Sequence, residues 1–319
     1  MLNDTPLWRS TPPAIFPICL ALLGLGLGWR NASEILPVAE EVGDVLLGLG
    51  SAFYVFFLIS YLRKLIARPM VLFEDTANPA ARAGIAAAAM SMMMLAAALL
   101  PFGISAPFIW WIGVIGQIGA SAAGCWAIWR DPPGKRRFST FQYLTFVGPV
   151  VGPFAGIQLG YATESLILTL AALVAYVIIT GGLIVQLRGA PPSIRLRPSM
   201  AIFLAPVCLF ATSFAMLGIN WAFVIFYWLS MAIAVVLFAL IPWMIKGGWS
   251  PIWASFTFPM AAFLEVQVMA VIKFGNAIAI AGVYVVMAVA TPVILLIAYR
   301  ATMRWVTGEL AQESEAARV

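Results

Sequence analysis

The fold is decided by stretches such as Ser250–Lys273, which reads SPIWASFTFPMAAFLEVQVMAVIK. Its 24 residues are almost all apolar, and an α-helix needs about 20 such residues to cross a hydrocarbon core roughly 30 Å thick. Inside the stretch lie a proline, Pro259, and one carboxylate, Glu265. The stretch therefore predicts a transmembrane helix that is kinked by its proline and carries one ionisable group at membrane depth.

The whole chain shares this character. Of its 319 residues, 63% are hydrophobic and only 10% are charged, whereas a soluble domain has about 25% charged residues. The composition predicts an integral membrane protein and excludes soluble enzymes and nucleic-acid-binding proteins. We predict a single transmembrane channel domain over residues 1–319, in which residues 305–319 form a short cytoplasmic tail.

Ten apolar stretches are long enough to be membrane spans, which predicts an all-α fold of five antiparallel helix hairpins. The predicted spans are Pro12–Asn31, Asp44–Ala67, Arg82–Pro101, Phe108–Trp129, Ser139–Leu159, Ala162–Arg188, Arg197–Leu217, Asn220–Ile245, Ser250–Lys273 and Asn276–Arg304. No linker between these spans is long enough to hold a second domain.

The loops between the spans alternate in charge. One side of the membrane, here called the basic side, receives 16 of the 18 Lys and Arg residues, including a loop with Lys135, Arg136 and Arg137. The opposite, acidic side receives only Arg30 and Lys273 together with several carboxylates. Because Lys and Arg are enriched in cytoplasmic loops, we predict a multi-pass protein of a bacterial inner membrane with both termini in the cytoplasm.

Prolines inside the spans distinguish the odd-numbered spans from the even-numbered ones. Four of the five odd spans contain them: Pro17 in the first, Pro149 and Pro153 in the fifth, Pro206 in the seventh and Pro259 in the ninth. Proline leaves a backbone carbonyl without its hydrogen bond, which is tolerated at membrane depth only against protein or a water-filled cavity. The pattern favours a central pore or cleft lined by the odd spans. The alternative is that prolines are simply common in transmembrane helices.

The spans offer almost no chemistry for catalysis. The chain has no histidine, its three cysteines each lie in an apolar run, and Glu265 is the only ionisable residue deep inside a span. These counts predict that the protein is not an enzyme and that it has no metal site and no cofactor. The remaining function that these residues allow is passive transport through an apolar conduit. Such a conduit suits small anions, because a row of carboxylates for cations is missing and the mouth on the basic side is positive.

Three short motifs carry a family resemblance. They are TFPM at Thr257–Met260 in the ninth span, FVGP at Phe146–Pro149 in the fifth and IFLAP at Ile202–Pro206 in the seventh. Set in ten spans with prolines in the odd ones, they resemble the tellurite-resistance and dicarboxylate transporter family, whose relatives include the plant guard-cell slow anion channels. The resemblance implies a homotrimer in which each protomer has its own pore of five inner helices. It also implies passage of small anions, tellurite resistance in bacterial members and malate transport in fungal ones.

The resemblance further implies that a phenylalanine matching Phe258 closes the pore. The position of Phe258 before the kink at Pro259 also favours a gate, with a core aromatic residue as the alternative. Other candidate pore-lining residues lie at the kinks of the odd spans, with packing or lipid contact as the alternative role of the aromatic ones. They are Phe16, Phe154, Phe203, Pro17, Pro149, Pro153, Pro206 and Pro259.

Glu265 is the feature that an anion pore does not explain. It follows Phe258 by seven residues, which is nearly two turns, or about 10 Å toward the acidic side on roughly the same face. A carboxylate there would repel anions. We expect Glu265 to pair with Arg30 or Lys273 at the acidic-side ends of the first and ninth spans, to be rotated toward a subunit interface, or to be neutral through burial.

The sequence therefore predicts passive, gated conduction of small monovalent anions through an apolar pore. The expected partners are those anions, bilayer lipids and other copies of the chain, with no nucleic acid. The alternative is a carrier for malate-like C4-dicarboxylates or tellurite-type oxyanions, although a dicarboxylate carrier should place positive side chains at mid-depth, where the spans have none. A membrane assembly or signalling protein without transport is disfavoured by the short loops and tail.

Overall fold

The computed structural model describes residues 6–132, 137–189, 191–314 and Ala317. Lys135 and Arg136 of the predicted basic loop lie outside the described residues, as do Glu315, Ala316, Arg318 and Val319 of the predicted tail. Within the described ranges, every regular element is a helix and there is no strand. The predicted all-α fold class is confirmed.

Nine helices in the described part of the chain are long and apolar enough to cross a membrane. In chain order the α-helices are α1 Phe16–Ser33, α2 Glu40–Ala67, α3 Val71–Ala77, α4 Pro79–Leu99, α5 Pro107–Arg130, α6 Pro153–Gly156, α7 Ala162–Gly189, α8 Leu204–Met216, α9 Asn220–Met244, α10 Ala254–Phe274, α11 Ala277–Val306 and α12 Glu309–Glu313. Short 3₁₀ segments precede α1, α8 and α10 on the basic side. The long helices match nine of the ten predicted spans.

The fifth predicted span, Ser139–Leu159, departs from a continuous helix. Its core, Tyr143–Gly156, is a shorter apolar segment, here called the interrupted segment. A π-helical turn at Tyr143–Val147 is followed by a 3₁₀ turn at Gly148–Val151 and then by α6. The interruption follows from the two prolines of the segment, because each removes a backbone donor and clashes with the preceding helical turn. The described residues therefore form nine long helices and one interrupted segment where ten regular spans were predicted.

Side chains of α5 satisfy carbonyl groups that the first of these prolines leaves free. Pro149 has no N–H to donate to the carbonyl of Thr145. That oxygen instead accepts from Gln117 Nε2 at 3.0 Å and from Ser121 Oγ at 2.6 Å. Gln117 Nε2 also donates to Leu144 O at 3.1 Å. Since a buried carbonyl without a partner is costly, α5 stabilises a backbone shape that the segment could not keep alone.

Two further side chains hold the second half of the interrupted segment. Trp110 Nε1 of α5 donates to Gly152 O at 2.9 Å, and Ser213 Oγ of α8 donates to Val150 O at 2.9 Å. The segment is therefore tied to α5 through three side chains and to α8 through one.

Gln117→Leu is expected to destabilise the folded protein by about 1–3 kcal/mol, because Leu144 O loses its side-chain donor and Thr145 O keeps only that of Ser121. Thermal unfolding in detergent measures the loss. Ile118→Ala is the matched control, since Ile118 is 56% exposed on the same helix and its substitution should cost less than about 0.5 kcal/mol. Equal melting temperatures of Gln117→Leu and the parent would show that other groups satisfy these carbonyls.

Burial separates the long helices into two layers. In α1, α4, α8 and α10, 67–83% of the membrane-length window is buried, whereas in α2, α5, α7, α9 and α11 only 11–39% is buried. The interrupted segment is buried almost throughout. It is called an inner element here together with α1, α4, α8 and α10. The inner elements are the odd-numbered predicted spans, so their proline kinks face protein rather than lipid, as the physics of free carbonyls requires.

Close packing between the inner helices α1 and α10 depends on glycine. A Cβ atom at Gly28 would lie 2.7 Å from Leu264 Cδ2, and one at Gly24 would lie 3.3 Å from Ala261 Cβ. The G-x-x-x-G pattern of α1 therefore lets the two backbones approach, as small residues do in other membrane helix pairs.

The end of α2 on the basic side carries a buried ion pair. The charge pattern assigned Lys64 to a basic loop, but its side chain is fully buried and its Nζ lies 3.6 Å from Asp75 Oδ2 of α3. Tyr61 OH donates to the same oxygen at 3.0 Å, and Lys64 Nζ donates to Thr11 O at 3.0 Å. The backbone N–H of Ala317 donates to Asp75 Oδ1 at 2.9 Å. This cluster joins α2 and α3 to residues near both ends of the chain.

Candidate functional site

A wide cavity of about 1090 Å³ is enclosed by the basic-side halves of the inner elements. Each inner element contributes lining residues: Pro17 of α1, Arg82 of α4, Leu144 of the interrupted segment, Ala205 of α8 and Phe258 of α10. Loop residues and part of the chain after α11 complete its rim. The cavity therefore has the position of an entry vestibule, and we call it the vestibule below.

Phe258 lies where the vestibule ends. Its side chain is only 5% exposed, and it also lines a second, narrow apolar pocket with Met90, Val147, Pro206 and Leu209. That pocket has a volume of about 10 Å³, which is barely enough for one water molecule. Phe258 thus lines both the wide polar-edged space and the narrow apolar one, and it is the only aromatic residue among the four described residues that line both.

Gly24 of α1 lies beside the ring of Phe258. A Cβ atom at Gly24 would lie 3.8 Å from Phe258 Cε2 and 3.8 Å from Met94 Cε of α4. With the residues of the narrow pocket, this geometry places residues of the four other inner elements around Phe258 of α10. The arrangement can close a path by filling it with one apolar side chain.

The candidate prolines of the first, seventh and ninth spans lie at these two spaces. Pro17 and Pro259 line the vestibule, and Pro206 lines the narrow pocket. Pro149 and Pro153 are buried in the interrupted segment and shape it without lining either space. The prolines that identified the inner spans therefore lie either at these two spaces or in the interrupted segment.

The three other candidate aromatic residues are placed by packing. Phe16 is fully buried and packs edge-to-face on Tyr54 and Tyr61 of the outer helix α2, with ring centroids 6.3 and 5.7 Å away. Phe203 packs edge-to-face on Tyr143 at 5.6 Å. Phe154 is buried in α6. None of the three lines the vestibule or the narrow pocket as described, so the structure brings only Phe258 of the four aromatic candidates to both spaces.

Glu265 has a different partner from the one expected. Its side chain is buried, and Asn31 Nδ2 of α1 donates to both carboxylate oxygens at 3.0 and 3.1 Å. Arg30 instead forms ion pairs with Glu40 and Asp44 of α2. The expected pairing of Glu265 with Arg30 is therefore wrong. Neighbouring residues on a helix point about 100° apart, and this turn directs Asn31 toward α10 while Arg30 reaches α2.

Lys273, the second expected partner of Glu265, lies in the last turn of α10. Its Nζ donates to Asn220 Oδ1 at the start of α9, at 2.8 Å. This contact is on the acidic side and exposed, so Lys273 does not neutralise Glu265. Glu265 itself lines neither the vestibule nor the narrow pocket as described.

Glu265→Leu is expected to lower stability by about 1–3 kcal/mol, because the amide of Asn31 would be left buried without its acceptor. Glu265→Gln keeps one acceptor oxygen and should lose less. Thermal unfolding of the two variants in detergent checks this order. Since Glu265 lines neither space, Glu265→Gln should leave the low-salt anion conductance of the protein unchanged. A marked rise at low salt, where a fixed charge is screened least, would place the carboxylate in the conduction path.

Two polar residues of the vestibule escaped the sequence reasoning. Arg82 opens the third predicted span and was counted as a loop charge, yet its side chain is only 5% exposed, in the first turns of α4. Ser255 lies one turn before Phe258 on α10 and is 8% exposed. Both line the vestibule. Arg82 lies three residues after Pro79, the first residue of α4. That position indicates a cation within the helix rather than in a loop, but the sequence alone does not reveal where the helix starts.

The chain is similar to known proteins over most of its length. A family model described as SLAC1, voltage-dependent anion channel, matches residues 10–304. The chain is also 26% identical over 262 residues to the tellurite resistance protein TehA homolog of Haemophilus influenzae, an alignment that covers 79% of this chain and 78% of that protein. The matched residues include every inner element and Phe258.

Proposed function

The chain belongs to the SLAC1 family of voltage-dependent anion channels, and from this premise we propose that it conducts small monovalent anions passively through a pore gated by Phe258. The observation that carries the proposal is the place of Phe258 between the vestibule and the narrow pocket. An apolar constriction of this kind can close a pore by excluding water, and it opens when the ring moves aside.

The charge distribution supports anions over cations. Most basic residues lie on the side where the vestibule lies, and Arg82 is a vestibule-lining cation with little exposure. Two acids of the vestibule rim, Glu74 and Glu313, form ion pairs with Arg68 and Arg304. The described lining of the vestibule holds three basic residues, Arg82, Arg137 and Arg195, and a third acid, Asp131. Because Glu74 and Glu313 are paired with arginines outside this lining, the basic residues favour anions in the vestibule.

The second candidate is a carrier for tellurite-type oxyanions or C4-dicarboxylates. The TehA homolog is named for tellurite resistance, which supports a link between this chain and tellurite. A carrier for a divalent anion should offer several donors where the substrate is held, but the narrow pocket beyond Phe258 is lined almost entirely by apolar side chains. This lining favours a channel, and neither candidate requires catalysis.

We further propose a homotrimer in a bacterial inner membrane, with the basic side in the cytoplasm. The outer helices support the membrane setting, because α9 has only 11% of its window buried and exposes large apolar residues. The orientation is supported by the excess of Lys and Arg on the basic side. The trimer rests on the family alone.

Anion replacement in planar bilayers tests the proposal. Purified protein should give unitary currents whose reversal potential follows the gradient of chloride or nitrate and ignores that of sodium or potassium. A carrier would give flux without unitary events. Reversal potentials that follow the cation gradient would overturn the proposal, as would the absence of any anion current from folded protein with Phe258 intact or replaced by alanine.

A further inference from the structure

Arg82 is a charged residue whose surroundings in the protein do not satisfy it. Only 5% of it is exposed, and its one hydrogen bond within the described chain runs from Nη1 to Gly124 O at 3.4 Å. Asp131 acts on it electrostatically, but no carboxylate of the described residues lies within ion-pair distance of its guanidinium. A guanidinium has five N–H donors, so most of this group's hydrogen-bonding capacity is left for the vestibule that it lines.

The position of Arg82 makes this lack of partners costly. Burial of a charge without a partner is strongly unfavourable. The first turn of a helix also carries partial positive charge, which disfavours a cation there, and Arg82 lies four residues after the N-cap of α4, Asn78. An anion in the vestibule would give the guanidinium of Arg82 a partner and offset the positive field at the start of α4.

Ser255 is a second uncommitted donor in the same vestibule. Its hydroxyl forms no hydrogen bond with any described residue, although only 8% of the residue is exposed. Two other buried vestibule hydroxyls are already used: Thr140 Oγ1 donates to Ser199 Oγ at 3.0 Å, and Ser199 Oγ donates to Leu196 O at 2.7 Å. Ser255 lies one turn before Phe258 on α10, so its hydroxyl is close along the helix to the constriction.

We propose that Arg82 binds a small inorganic anion in the vestibule, on the basic side of Phe258, and that Ser255, nearer the constriction, is a further donor on the path of that anion. Arg82 neutralises the anion with a fork of N–H donors, and Ser255 offers an O–H donor beside the ring as the anion sheds water. The inference deepens the proposed function and rests on it for its physiological meaning. Anion binding itself, however, can be measured without any conduction.

Arg195→Gln is the matched control for Arg82→Gln. Arg195 also lines the vestibule, but it is exposed to solvent, where water satisfies its donors. Both substitutions remove one positive charge from the same cavity. A weaker positive potential in the vestibule would reduce anion binding equally in both variants. Loss of a binding site would reduce it only in Arg82→Gln.

The first experiment measures binding of chloride to purified protein by thermal unfolding, with sodium gluconate of equal ionic strength as the reference. Chloride should raise the melting temperature of the parent and of Arg195→Gln by about 2–4 °C, because a ligand that binds only the folded state stabilises it. Arg82→Gln should show no such rise. A rise of equal size in Arg82→Gln and the parent would overturn the site.

The second experiment measures conductance against the chloride concentration on the basic side. For Arg82→Gln the half-saturating concentration should increase about tenfold, and for Ser255→Ala about threefold. Ser255→Ala keeps the proposal testable if Arg82→Gln does not fold. Unchanged half-saturation in both variants would overturn the site. Chloride stabilisation that requires Arg82 in a protein with no anion current would instead keep the site and reject the channel.

Discussion

Phe258→Ala should raise anion conductance on the order of tenfold or more, because its ring is the largest side chain that lines both the vestibule and the narrow pocket. The four other inner elements place residues around this ring, so its removal is expected to join the two spaces. The joined space is wider than one water molecule and can become hydrated. Current per folded protein in planar bilayers, with equal amounts of parent and variant, measures the effect.

A graded series makes this result specific. Phe258→Leu should conduct more than the parent and less than Phe258→Ala, since leucine fills part of the space. The matched control is Phe210→Ala on α8. Phe210 is fully buried and packs on Tyr176 and Phe226, with ring centroids 5.4 and 5.2 Å away, but it lines neither space.

Phe210→Ala should therefore lose about 3–5 kcal/mol of stability, as large-to-small core substitutions do, with no gain in conductance. Phe258→Ala should lose less, because its ring already borders empty space on two sides. If well-folded Phe258→Ala conducts no more than the parent, Phe258 is a packing residue and the constriction is elsewhere. If Phe210→Ala also conducts more, the gain reflects general loosening of the protein.

Features that depend on local sequence were predictable. The length of the apolar stretches predicts the long helices, and the prolines of the odd spans identify the inner layer, because a free carbonyl is tolerated only inside protein. The same rule singles out Phe258 at a kink beside Pro259. Loss of regular helix in the fifth span follows from its two prolines in retrospect, but the sequence does not say that Gln117 and Ser121 of another helix would supply the missing donors.

Features that depend on the rotation of one helix against another were not predictable. Asn31 and Glu265 are 234 residues apart, and a turn of about 100° per residue decides whether residue 30 or 31 faces α10. The expected partner was the charged neighbour, and the observed partner is the amide. Arg82 was missed for a related reason, because a cation near the end of a span reads as a loop residue until the packing of α4 shows that it is buried.

Disruption of the buried pair of Lys64 and Asp75 should cost as much stability as a large-to-small substitution in the core. Lys64→Met should destabilise the protein by about 3–5 kcal/mol, because it leaves the carboxylate of Asp75 buried without its counter-charge. Neither side chain is exposed. Two other donors to Asp75 would remain, Tyr61 OH at 3.0 Å and Ala317 N–H at 2.9 Å. Hydrogen bonds alone do not neutralise the charge, so these donors reduce the loss without removing it.

The double variant Lys64→Met with Asp75→Leu separates the charge from the packing. Replacing both partners of a buried ion pair by apolar residues is often neutral or stabilising, so the double variant should be more stable than Lys64→Met alone. Arg63→Met is the matched control. Arg63 is the exposed neighbour of Lys64 and lies over the ring of Trp8 at 5.3 Å, and its loss should cost less than about 1 kcal/mol.

Thermal or denaturant unfolding of the parent, Lys64→Met, Asp75→Leu and the double variant in detergent gives the coupling energy of the pair directly, with Arg63→Met measured beside them. If Lys64→Met is much less stable than the parent while the double variant regains that stability, the ion pair adds little net stability, and its role is to fix the arrangement of this end of the protein. Because the same cluster holds Thr11 and Ala317, Lys64→Met should also release the segments near both ends of the chain to protease before the helices unfold. Losses that simply add in the double variant would mean that the two side chains act independently, and that Lys64 contributes through Thr11 rather than through Asp75.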